Sequence, residues 1–67
     1  MRTLTHEEIE KLANQKGVKS NAAYGFLSTM GDNGMYAGMN LNQDARDYRW
    51  NAATIKAIRD GIRLAGG

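Results

Sequence analysis

Apolar residues recur at helical spacing in three stretches of the chain. Ile9, Leu12 and Ala13 form one stripe, Ala23, Phe26, Leu27 and Met30 a second, and Ile55, Ile58, Ile62 and Ala65 a third. Steps of three and four residues put such positions on one face of an α-helix, whereas a half-buried strand would need alternation. A fourth set, Ala37, Leu41, Ala45 and Tyr48, can also share a helical face. Gly38 interrupts its beginning, so a helix starting late, near Leu41, fits as well. The pattern predicts an all-α fold, a compact bundle of about four short helices at about 6–16, 20–30, 37–49 and 52–65, forming one helical domain over residues 1–67.

Local start and stop signals agree with this division. Thr5 lies three residues before Glu8, the capping-box spacing, and Leu4 and Ile9 flank it as a hydrophobic staple. Asn51 is a second predicted N-cap, with Trp50 and Ile55 in the same staple positions. Ser20 is the predicted N-cap of the second helix. Gly17, Gly31 and the Gly66-Gly67 pair are expected helix ends. That terminal pair resembles the tail of ubiquitin-like modifiers, but nothing in the chain reads as that family's strands. Gly25, inside the second helix, suggests close packing against another helix, since it costs about 1 kcal/mol relative to alanine. The expected core contains Ile9, Leu12, Ala13, Val18, Ala23, Phe26, Leu27, Leu41, Tyr48, Trp50, Ile55, Ile58 and Ile62.

Composition narrows the chemistry. The chain has 67 residues, so it buries only about 60% of its unfolded surface and needs other support. It has no cysteine and one histidine, which excludes disulfides and a thiolate zinc site. Well-capped helices or self-association remain as sources of stability. Hydrophobic residues at 42% and charged residues at 24% are ordinary globular values, so disorder is not expected. A net charge of +2 permits nucleic-acid binding without demanding it. No signal-peptide pattern and no apolar run long enough for a membrane span are visible, so a cytoplasmic protein without membrane contact is expected.

One stretch carries a functional suggestion. From Leu12 to Leu27 the chain reads LANQKGVKSNAAYGFL. Ala13 permits close helix approach, Gly17 a tight turn, and Val18 a plug beneath it, while Ala23 and Phe26 hold the second helix against the first. These residues resemble the helix-turn-helix of repressor-type DNA-binding proteins. The resemblance implies that the helix at 20–30 contacts DNA or RNA through Ser20, Asn21, Tyr24 and Ser28, with Lys16 and Lys19 near the backbone and Arg2 as an N-terminal arm. It departs from the pattern at Lys16, where an apolar residue is usual. The second helix lacks arginine, and Glu7, Glu8 and Glu10 on the first would repel phosphate.

Other readings stay open beside it. Ala-x-x-x-Gly-Val is also an ordinary hairpin between helices in a small bundle. Lys56, Arg59 and Arg63 form a secondary basic face, able to bind phosphate or simply to be solvated. Met30, Met35, Tyr36 and Met39 could form an adaptable apolar patch for a protein partner or a second copy of the chain. Among the aromatics, Tyr24 and Tyr36 are better candidates for exposure than Trp50, and all could stack on bases. Catalysis finds no nucleophile–base set and no phosphate-binding glycine loop, so an enzyme is not expected, nor is any cofactor or metal. The expectation is a small non-catalytic binding module.

Overall fold

The computed structural model describes residues 2–30 and 41–66. Among them the chain is all-α: α1 (His6–Ala13), α2 (Ser20–Thr29), α3 (Leu41–Asp47) and α4 (Ala52–Leu64). The expected all-α bundle of short helices is thus found among the described residues, with α1 ending at Ala13 and α3 at Asp47, earlier than expected. No helix among the described residues is long and apolar enough to cross a membrane.

Of the three predicted N-caps, Thr5 and Asn51 are built as their residues suggest and Ser20 is not. At α1 the Glu8 amide donates to Thr5 Oγ1 at 3.2 Å and the Thr5 amide donates to Glu8 Oε1 at 2.9 Å, the reciprocal pair of a capping box. Leu4 and Ile9 are both buried beneath it. At α4 the Thr54 amide donates to Asn51 Oδ1 at 2.9 Å. Ser20 is not the cap of α2: that place is taken by Lys19, which offers no side-chain acceptor. The Ser20 hydroxyl instead donates back to the Ala13 carbonyl at 2.8 Å, tying the two helices across their turn.

That turn ends α1 three residues earlier than periodicity implied. Val18 N–H donates to the Gln15 carbonyl at 3.1 Å, with Gly17 in between at φ +84°. A type II turn needs positive φ at this third position, which glycine supplies without strain. Lys16 thus belongs to the turn, not to the helix.

The core lies where α1, α2 and α4 meet. Ile9, Leu12 and Ala13 come from α1, Ala23, Phe26 and Leu27 from α2, Ala57 and Ile58 from α4, with Leu4, Met30 and Ala65 closing the ends. Helix α3 buries no residue completely. The buried face of α4 is turned from the expected one: Thr54, Ala57, Ile58 and Gly61 point inward, while Ile55 and Ile62 are half-buried on its flanks. Gly61 explains the turn. A Cβ there would run into Leu27 Cδ2 and lie 3.3 Å from Leu12 Cδ1. The close approach expected at Gly25 therefore occurs at Gly61, where α4 has no side chain to hold its neighbours away.

Three further expectations change. Tyr48 is not core: it is 66% exposed. Val18, Leu41 and Trp50 are half-buried against the core instead of inside it. Met30 is 1% exposed, so it belongs to the core and cannot anchor a surface patch. Met35, Tyr36 and Met39, with the expected helix start at 37–40 and the Gly31 stop, lie outside the described residues.

Candidate functional site

The turn between α1 and α2 is held against the start of α4 by two polar side chains. Asn51 Nδ2 donates to the Gly17 carbonyl at 2.7 Å, and the Lys19 amide donates to Thr54 Oγ1 at 2.8 Å. The Thr54 hydroxyl in turn donates to Asn51 Oδ1. Asn51 thereby caps α4 with its oxygen and clamps the turn with its nitrogen. Thr54 is fully buried and accepts from the amide of Lys19, the N-cap residue of α2. Among the described residues no buried side-chain polar atom is left without a partner.

This clasp decides how α2 is presented. Asn21, Gly25 and Ser28, spaced four and three residues apart, are all exposed along one stripe of the helix. Ser28 Oγ donates to the Gly25 carbonyl at 3.3 Å. Lys16 and Lys19 are exposed at the N-terminal end. Ser20, Asn21, Lys16 and Lys19 are thus brought together there, and Ser28 lies about two turns further along.

Tyr24 is separated from this stripe. It is half-buried toward α1, where its ring lies 5.8 Å from that of His6. Partial burial raises the pKa of its hydroxyl above the ordinary tyrosine value, and the Glu10 carboxylate adds to the effect. His6 Nε2 is itself 3.5 Å from that carboxylate. The α1 side of α2 is therefore acidic and occupied, while its opposite side carries Lys19.

On that opposite side the chain leaves α3 through a tight reversal. Trp50 N–H donates to the Ala45 carbonyl at 3.0 Å and Arg49 N–H to the Arg46 carbonyl at 3.3 Å, the paired bonds of a Schellman motif. Its left-handed position is filled by Arg49 at φ +54°, where glycine is usual. Lys19 Nζ donates to the Arg49 carbonyl at 3.3 Å, bridging this reversal to α2. The reversal stacks Tyr48 on Trp50, with centroids 6.0 Å apart and planes 20° from parallel. Trp50 in turn meets Phe26 edge-on at 5.9 Å.

Between these rings and α2 runs an open groove of about 360 Å³, lined by Lys19, Asn21, Ala22, Gly25, Phe26, Asp44, Tyr48 and Trp50. Gly25 forms part of its wall: a Cβ there would meet nothing within 4 Å. Sequence reasoning missed this groove. Its only advance signal was the aromatic pair around Arg49, and nothing local announced the left-handed arginine.

The remaining candidates lie elsewhere. Lys56, Arg59 and Arg63 are exposed on α4 and line a shallow hollow with Ile55 and Asp60. Lys56 Nζ pairs with Asp60 Oδ2 at 3.0 Å, which reduces the field of that face. Arg2 does not extend as an arm. Its guanidinium grips Glu8 with Nη1 and Nη2, at 2.9 and 2.7 Å, and its amide donates to the Ala65 carbonyl at 2.9 Å. That pairing, with the Thr5 amide, lowers the Glu8 carboxyl to about 2. No group of histidine or carboxylate side chains among the described residues is placed to hold a metal ion. No protein-family model, curated protein or solved structure matches the chain.

Proposed function

We propose that this protein is a non-catalytic nucleic-acid-binding module whose contact surface is the exposed stripe of α2. The observation that carries the reading is the joint exposure of Asn21, Gly25 and Ser28 beside Lys16 and Lys19, on a helix clamped at its start by Asn51 and Thr54. A surface held rigid before binding loses little entropy when it engages a partner. Asparagine offers a donor and an acceptor to a base edge, and lysine neutralises phosphate. Glu10 lies with His6 and Tyr24 on the α1 side of α2, and Lys19 is bonded to the reversal after α3, so in this reading the nucleic acid approaches from the α3 side. The resemblance of residues 12–27 to a helix-turn-helix supports the same helix as the contact element. Protein contact through 30–39 is the rival reading, and it has lost Met30 to the core.

The test is a salt series of fluorescence-anisotropy titrations with labelled DNA and RNA. Binding weakens as salt rises, because each neutralised phosphate releases about one counterion. Lys19→Gln lowers the slope of log affinity against log salt by about 1, whereas Lys56→Gln leaves it unchanged. Absence of binding to every strand and duplex at low salt would remove the proposal.

A further inference from the structure

The groove beside α2 has the features of a slot for a flat, polar-edged ring. Its volume, about 360 Å³, is at the small end of ligand sites, which run from about 300 to 1,000 Å³. One wall is the Tyr48 ring, two-thirds exposed and backed by the near-parallel ring of Trp50. The wall on α2 includes Ala22 and Gly25, neither with a side chain larger than a methyl group, and Phe26 also lines it. Asn21, a donor and acceptor, and Asp44, an acceptor suited to an exocyclic amine, also line the groove. Lys19 completes the lining with a positive charge, and exposed Arg49 follows Tyr48 in the chain.

From this we infer that the groove takes an unstacked nucleobase, so that the partner of the proposed module is single-stranded nucleic acid. The inference rests on the nucleic-acid reading of α2 and narrows it. An aliphatic or phenyl side chain from a protein would use the apolar walls but leave Asn21 and Asp44 without new partners. A base satisfies both demands: its face stacks on Tyr48, its edge meets the amide and carboxylate, and its phosphate lies outside near Lys19. In a duplex the bases are already stacked on one another, and extracting one costs a few kcal/mol. In a single strand that penalty is smallest.

The experiment uses the full chain, labelled single strands of DNA and RNA of mixed sequence, and the matching duplexes. Trp50 is the one tryptophan, so its fluorescence reports directly on a base entering beside it. Strands bind more tightly than duplexes and quench Trp50. Tyr48→Ala, at an exposed position, lowers strand affinity by about 5- to 150-fold, the range for loss of one base–aromatic stack. Gly25→Leu fills the slot from the other wall and abolishes quenching, while the helix it sits in becomes no less stable. Strand binding that survives both changes, or a preference for duplex, overturns the inference and leaves the proposed function standing. Failure of all strands and duplexes to bind overturns both.

Discussion

At the scale of single residues, the two mid-helix glycines behave as opposites. Both carry the same penalty of about 1 kcal/mol relative to alanine in a helix. Gly25 faces open space, so Gly25→Ala raises stability by about 1 kcal/mol. Gly61 sits against Leu27, which is fully buried and has nowhere to retreat, and against Leu12. Overpacking of this kind costs about 1–3 kcal/mol, enough to outweigh the propensity gain. Gly61→Ala is therefore destabilising by about 1 kcal/mol. Urea unfolding of the two variants checks the pair, and a gain in both would mean that α2 and α4 do not approach closely at Gly61. Arg49 is a third residue out of its ordinary range. Holding an arginine left-handed costs about 1 kcal/mol, and the groove wall follows directly from that reversal.

Between elements, the decisive link is the polar clasp from α4 to the α1–α2 turn. Helix α2 lacks a side-chain cap, and its start is completed by Thr54 from a distant part of the chain. Thr54→Val keeps the shape of the side chain but removes the acceptor for Lys19 N–H. A buried donor left unsatisfied costs about 1–3 kcal/mol. The expected result is a lowered unfolding midpoint and faster amide exchange in the first turn of α2, with α1 unaffected locally. Unchanged exchange at Lys19 would show that the clasp does not hold the helix start. In the folded protein the same link keeps Asn21 and Lys19 in place, so any nucleic-acid affinity falls with it.

At the scale of the molecule, Arg2 and Glu8 fasten the N-terminal segment. Arg2 reaches Glu8 at the start of α1 with its side chain and Ala65 at the end of α4 with its amide. The Glu8 carboxyl lies at about 2 when folded, below the ordinary 4.5. A depressed acid contributes stability that is present above its unfolded value and lost as pH falls through the folded one. Stability therefore declines between about pH 5 and pH 2, and Glu8→Gln flattens that decline. Chemical denaturation at several pH values measures it. An equally steep acid limb in the Glu8→Gln protein would assign the loss to other carboxylates. Salt weakens the exposed Arg2–Glu8 pair through screening.

Much of this architecture can be read from short stretches of the chain. The capping box at Thr5, the cap at Asn51, the left-handed turn at Gly17 and the apolar stripes of α1 and α2 involve residues within a few positions of one another. Such interactions have their partners already in range, so their spacing suffices to specify them. The side of α4 that turns inward, the exposure of Tyr48, the left-handed Arg49 and the groove depend instead on groups that meet only when helices pack. Gly17 and Asn51 are 34 positions apart, and Lys19 and Thr54 are 35. Their meeting depends on how near α4 can come to α1 and α2, which Gly61 and Ala57 control by lacking bulk. A pattern that weights large apolar residues passes over small ones, and for that reason it chose Ile55 and Ile62 for the core in place of Thr54, Ala57 and Gly61.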